Sequence, residues 1–309
     1  MSRMTAIFTA ATLATALAYP ASSAPEAQWA ATAKALGKSG TEMQGGIYRV
    51  GMPRTDLQVT LDGVTLKPTF ALGSWVAFAP MGHDAMVMGD LVLTEDEIAP
   101  VMKKLKDGGI EITALHNHLL RARPATFYMH IHGHGEPAAL AQSIHDALAL
   151  SKTPLGDAAA PPPAQQSAQP QIDLDMAMID RTLGAPHGQI AGGVYQIGIP
   201  RAETIKDGGM TVPPPMGTAE AINFQPMGGG KAAITGDFVL IGKEVTPVQR
   251  ALLDNGIEVT ALHSHMVDEQ PRLYFMHFWA NDDAAKLAKG LRAALDKVNL
   301  SKKVDVANK

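Results

Sequence analysis

The stretch A-L-H-N-H at 114–118 recurs as A-L-H-S-H at 261–265, an offset of 147 residues. Each copy is followed by a proline (Pro124, Pro271) and then by Met-His (Met129-His130, Met276-His277). Outward from these motifs the same offset pairs Leu36-Gly37 with Leu183-Gly184, and Gly46, Tyr48, Gly51, Pro53 and Arg54 with Gly193, Tyr195, Gly198, Pro200 and Arg201. It also pairs Gly89-Asp90 with Gly236-Asp237, and Glu97, Pro100, Glu111 and Thr113 with Glu244, Pro247, Glu258 and Thr260. One local slip sets F-A-P-M-G at 78–82 against F-Q-P-M-G at 224–228. Solenoid repeats have periods of roughly 20–50 residues, so this period marks a duplicated domain.

The pattern within one copy alternates strands and helices. Glu26 to Leu36 has helical spacing and stops at Gly37. Gly46–Gly51, Ser74–Ala79, Ala85–Leu93, Glu111–Leu119 and Thr126–His132 read as strands, and Leu57–Leu66 as a short hairpin turning at Asp62-Gly63. Thr94 with Glu97 three residues on starts a helix that runs to about Lys106, and Ala138–Leu150 is an Ala/Leu-rich helix. The expected fold class is α+β: two homologous domains, each a mainly antiparallel sheet with helices packed on one side, forming a pseudo-dimer.

Residues 1–24 read as a signal peptide: Arg3, an apolar stretch from Met4 to Ala18, then small residues at 21–24 that fit cleavage after Ser23 or Ala24. The first repeat is placed at 25–150 and the second at 172–309, with a Pro/Ala/Gln-rich linker at 151–171. The expected location is periplasmic or secreted. The expected state after cleavage is a monomer with internal two-fold pseudo-symmetry and no stable membrane insertion.

Lys and Arg total 26 against 30 Asp and Glu, with no basic block, so nucleic acid is not expected as a partner. The absence of cysteine excludes disulfides, a lipidated Cys, thiolate ligands and a Cys nucleophile. Any metal must therefore use His, carboxylate, Met or backbone oxygen. The 16 methionines read first as core filler and secondly as soft ligands.

Histidine carries the functional signal. His116 and His118 share one face of their strand, and His130 and His132 one face of the next. A hairpin centred near Pro124 sets His116 opposite His132 and His118 opposite His130, so four imidazoles converge. His134 continues the track. The second copy keeps His263, His265 and His277 but has Trp279 and Asn281 in place of His132 and His134. The expectation is a transition-metal site, Zn or Cu, of His116, His118, His130 and His132, and a second or partial one of His263, His265 and His277. The alternative is that these histidines satisfy hydrogen bonds inside the sheet. His83, His145 and His187 lack counterparts and read as surface residues.

Odd spacing puts Glu111 and Glu258 on the face away from the histidines unless a bulge intervenes, and salt bridges to Arg54 and Arg201 are expected of them. Arg54 and Arg201 read as members of buried ion pairs or as anion ligands. Asp90 and Asp237 suggest either a defined turn or a carboxylate that orients a ligating histidine. Glu97 and Glu244 fit helix starts. The chain contains no nucleophile elbow, Walker loop, dinucleotide fingerprint or H-E-x-x-H.

The stretches Y-R-V-G-M-P-R-T-D-L-Q-V-T (48–60), S-W-V-A-F (74–78), V-M-G-D-L-V-L-T-E-D-E-I-A-P-V (87–101), E-I-T-A-L-H-N-H-L (111–119) and F-Y-M-H-I-H-G-H-G (127–135) resemble the LppY/LpqO family, named for mycobacterial lipoproteins. The resemblance covers most of 28–150 and, more loosely, the second copy. It implies an exported domain but no activity. The chain departs from the lipoprotein pattern in having no Cys to lipidate. Three functions stay open: an exported transition-metal-binding protein, a metal-dependent hydrolase with a three-His site, and a structural or envelope-interaction module without metal.

Overall fold

The computed structural model describes residues 25–156 and 172–301. The expected signal segment at 1–24 and residues 157–171 of the expected linker lie outside the described residues.

The first repeat runs α1 (Pro25–Leu36), β1 (Thr41–Met43), β2 (Ile47–Pro53), β3 (Thr60–Leu61), β4 (Val64–Thr65), β5 (Gly73–Met81), β6 (Asp84–Leu93), α2 (Glu95–Asp107), β7 (Glu111–His116), β8 (Phe127–Gly135) and α3 (Pro137–Leu148). The second runs α4 (Met176–Leu183), β9 (Gln189–Ala191), β10 (Val194–Pro200), β11 (Lys206–Asp207), β12 (Met210–Thr211), β13 (Ala219–Gly228), β14 (Lys231–Ile241), α5 (Gly242–Asp254), β15 (Glu258–His263), β16 (Leu273–Asp283) and α6 (Ala284–Leu295). The sheet orders are β1-β2-β5-β6-β8-β7 and β15-β16-β14-β13-β10-β9, and their pairings are antiparallel. The two repeats thus have the same α+β topology.

Strand alternation divides each sheet into two faces. On β8, Met129 and Ile131 bury against Trp29, Val101, Leu105 and Ile144 of the helices. His130, one step out of phase, belongs to the other face. In the second repeat Met276 and Phe278 face Val248, Leu252, Leu287 and Leu291, and His277 points away from them. The helix-free faces of the two sheets look toward each other. Each is partly covered by an arm of the other repeat. Val59, Leu61, Val64 and Phe70 cluster with Val194, Ala233 and Trp279, while Ile205, Val212 and Met216 cluster with Ile47, Ala77, Met86 and Met88. Hydrogen bonds reinforce the exchange: Gln225 accepts from Lys67 N–H at 2.9 Å and donates to Thr65 O at 2.8 Å, and Gln196 donates to Thr69 O at 2.8 Å.

The helix starts are as the sequence suggests. Glu97 accepts from the Thr94 N–H at 2.9 Å, and Glu244 accepts from the Ile241 N–H at 2.9 Å. The same two glutamates are the partners of the buried arginines. Arg54, fully buried, reaches Glu97 at 2.7 Å and Asp56 at 2.8 Å, and Arg201 reaches Glu244 at 2.8 Å and Glu203 at 2.9 Å. The expected bridges to Glu111 and Glu258 do not form, because the arginines lie at the start of the helix after β6 or β14, not beside β7 or β15. All three guanidinium nitrogens of Arg54 are hydrogen-bonded within the protein, whereas Arg201 uses its two terminal nitrogens and keeps a buried Nε without a partner. Residues 151–156 continue the first repeat: Lys152 N–H donates to Glu97 at 2.8 Å and Thr153 is buried. No described helix is long and apolar enough to cross a membrane.

Candidate metal centre

The two histidine motifs come together in one cluster. His116, His118 and His130 of the first repeat and His263, His265 and His277 of the second meet between the facing sheets. His116 stacks on His263 at 3.5 Å between ring centroids, His118 on His277 at 3.5 Å, and His130 on His265 at 3.7 Å. A two-fold operation that exchanges the repeats maps the first contact onto itself and exchanges the other two. The axis therefore passes between His116 and His263. Tyr128 stacks on His118 at 3.5 Å and its counterpart Phe275 on His265 at 3.4 Å, which walls the cluster with aromatic rings.

The hairpin register explains which histidines arrive. β7 ends at His116, opposite Tyr128, and His118 lies in the connection beyond the strand. His130 lies opposite Ala114 on β7 and Asp90 on β6. A bulge between Ile112 and Ala114 brings Glu111 opposite His132. The expected pairs His116–His132 and His118–His130 are thus incorrect: the register Ala114–His130, Leu115–Met129, His116–Tyr128 centres the hairpin on Ala122, not Pro124. His132 does not join the cluster. Its ring lies 3.6 Å from Glu111 and 3.8 Å from Asp207 on the other repeat's arm. Trp279, its counterpart, donates to Asp62 on the first repeat's arm at 3.1 Å. The two positions hold arms, and this is why a tryptophan can replace the histidine. His134 is exposed and edge-on to His132 at 4.6 Å.

Glu258 bonds Arg121 across the repeats at 2.7 Å. His83 is exposed, and His187 is an exposed partner of Asp180 at 2.7 Å. His145 departs from expectation: it is half-buried, with Nδ1 2.8 Å from Leu36 O.

His118, His130, His265 and His277 are 2–7% exposed. The Nε2 of all six clustered rings is buried without a hydrogen-bond partner, and an orphaned buried polar atom is costly unless something binds it. The opposite ring edge is held by backbone in His277, in His130 and, at 3.4 Å from Ser264 O, in His263. His277 Nδ1–H donates to Gly236 O at 3.0 Å, and His130 bonds the backbone of Gly89, the equivalent glycine. For His130 this leaves the Nε2 lone pair free to face inward, as a metal ligand requires, whereas His277 Nε2 has a carboxylate oxygen of Asp237 at 2.8 Å. Burial, with neighbouring imidazoles adding, holds His116 down at about 4 and His263 at about 2. The same causes hold His118, His130 and His265 well below the usual range. These five rings are neutral at pH 7, the form that coordinates metal.

Two groups of four histidines have one ring nitrogen each within 4.8 Å of one another: His116, His118, His130 and His265, and His118, His263, His265 and His277. The two-fold operation exchanges the groups. Two carboxylates flank them. Asp237 Oδ1 is 2.8 Å from His277 Nε2, out of line for a hydrogen bond, and Asp90 Oδ1 is 3.9 Å from His130 Nε2. Burial, aided by the Asp237 charge, raises Asp90 well above the ordinary carboxylate range.

Access is one-sided. A cavity of about 640 Å³ between the repeats ends on His118 and His277 and is lined by Asp90, Asp237, Arg49, Trp75, Gln196 and Asn223. Arg49 lies over the Trp75 ring at 3.8 Å and donates to Pro215 O. The two-fold-related approach, past His130 and His265, is closed to about 10 Å³ by Trp75, Met88, Met216 and Met266. Sequence reasoning missed Tyr128, Phe275, Arg49 and Trp75. Only the aromatic two residues before each Met-His histidine, Tyr128 and Phe275, left a repeated signal.

The chain belongs to the family described as Domain of Unknown Function (DUF1259), whose model matches residues 30–150 and again 177–297. The crystal structure of the trimeric bacterial microcompartment shell protein PduB is similar at 14% identity over 83% of this chain and 89% of that one, with a TM-score of 0.20. EtuB from Clostridium kluyveri is similar at 8% identity over 83% of this chain and 90% of that one, with a TM-score of 0.18. No curated protein matches the chain.

Proposed function

We propose that this is an exported protein that binds a transition metal, zinc or copper, at a centre shared by its two repeats. His116, His118, His130, His263, His265 and His277 are the ligands. The observation that carries the reading is their six buried, unpartnered Nε2 atoms converging from two chain segments 147 residues apart. A hydrogen-bonded histidine core would leave no such set. Methionines beside His130 and His265 favour copper, since thioethers are soft ligands. Asp237 and Asp90 orient or supplement the set. The signal-like segment at 1–24 and the LppY/LpqO resemblance support a periplasmic or secreted location.

The second reading, a metal-dependent hydrolase, is favoured by the polar cavity that ends on His118 and His277. Its volume is in the range of small-ligand sites, and a metal with an open position could supply a hydroxide there. In that case alanine at His263, His265 or His277 abolishes hydrolysis while the fold survives. Activity kept by all three variants refutes it.

The metal reading is tested by melting the untagged full chain after chelation and after adding back Zn or Cu. Metal at a thousand times Kd stabilises by about 4 kcal/mol, so the melting temperature rises by several degrees. The rise is lost in His118→Ala/His265→Ala. Identical melting with and without metal sends the histidines back to a structural role.

A further inference from the structure

Resting on the metal reading, we infer that the centre holds two ions, each bound by the three histidines of one repeat. Imidazole nitrogen sits about 2.0–2.1 Å from the metal, so a ligating ring has its centroid about 3.2 Å from the ion. Two rings on one ion at right angles or wider are then at least about 4.5 Å apart, and three rings spread evenly in a plane are about 5.5 Å apart. The stacked pairs His116–His263, His118–His277 and His130–His265 stand at only 3.5, 3.5 and 3.7 Å. No stacked pair can share an ion through Nε2. Each pair joins the repeats, so all six rings cannot serve one metal.

Each ion must take one ring from each stacked pair, and two such divisions respect the two-fold symmetry. One sets His118, His130 and His263 against His116, His265 and His277. Its separations are 5.8, 6.2 and 6.4 Å in the first triad, and 5.9, 6.1 and 6.3 Å in the second. All exceed the planar limit, so no ion can hold either triad as arranged. The other division takes the repeats as they are. His116, His118 and His130 stand 4.8, 5.0 and 6.4 Å apart, and His263, His265 and His277 stand 4.9, 4.9 and 6.3 Å apart. Both triads have two near-right-angle separations and one wide one, and both lie within the four-histidine groups. The fourth member of each group, His265 or His118, stacks on a ring of the triad and belongs to the other ion.

Three protein ligands leave each ion open to water or an exogenous ligand. Because the triads interleave across the axis, the two open positions belong to one centre. Its outlet is the cavity that ends on His118 and His277.

The test is stoichiometry. The untagged full chain is titrated with Co(II), followed by its visible d–d absorption, and separately loaded with Cu(II), washed with a weak chelator and assayed by elemental analysis. Two equivalents per chain are expected. His130→Ala and His277→Ala each reduce the number to one. In the Cu(II) form, electron paramagnetic resonance of the wild type is broadened or diminished by the neighbouring spin, and each variant gives an isolated one-copper spectrum. One equivalent in the wild type overturns the paired centre and leaves the metal reading standing. No bound metal overturns both. Two equivalents unaffected by either variant place the ions elsewhere and also overturn the inference.

Discussion

Acidification of the metal-free protein should destabilise it through the histidine centre, in a window set by His116. That ring is held at about 4 against an ordinary value of 6.5, by burial first and then by His277. Between these values the unfolded chain binds a proton that the folded chain refuses. Stability is therefore full above pH 6.5 and falls as the pH drops toward 4. At pH 5.5 His116 alone costs about 1 kcal/mol, and by pH 4 roughly 3 kcal/mol. His263, His118, His130 and His265 are shifted the same way and add to the loss. Asp90 and Glu220 oppose it. Burial raises both, so just above the ordinary carboxylate range the folded chain keeps protons that the unfolded chain has given up. Comparison of two proteins cancels that opposing contribution. The assay is urea unfolding of chelator-treated wild type and His116→Asn at pH 8 and pH 5.5. The wild type should lose about 1 kcal/mol more than the variant between the two conditions. Equal losses would refute the claim that this ring is buried neutral.

Other expectations follow from close contacts. A Cβ on Gly236 would lie 1.8 Å from Ala221 O, so Gly236→Ala should not fold, as read by solubility and circular dichroism; a Cβ on Gly51 would meet no atom within 4 Å beyond its chain neighbours, and Gly51→Ala should melt like wild type. Arg54→Met strands Glu97 in the interior and should cost about 3–5 kcal/mol in urea unfolding.

The repeat, the strands and the helix starts were legible because each is local. Period-two alternation marks β8, with His130 and His132 out of phase with Met129 and Ile131, and Glu97 three residues after Thr94 marks α2. The identity of all six clustered rings needed only the recurrence of H-x-H and Met-His; His132 was the one residue included in error. Its place on a shared face with His130 was read correctly, but strand periodicity does not report where the hairpin is centred, at Ala122 and not Pro124, or the bulge at Thr113. The shared centre was illegible for a different reason. It depends on the arms carrying Phe70 and Met216 crossing to the opposite sheet, and such contacts between distant segments leave no spacing in either copy. Asp62 and Asp207 look like turn residues until Trp279 and His132 are seen to hold them.

The most direct measurement is an anomalous-difference map from crystals of the untagged, natively purified chain, recorded at the absorption edge of whichever of zinc or copper elemental analysis detects. The account predicts density within coordination distance of Nε2 of His116, His118 and His130, and a second feature at His263, His265 and His277. A fully refined cluster with no anomalous density after soaking with both metals, or density seated only at His132, His134 and Glu111, would contradict it.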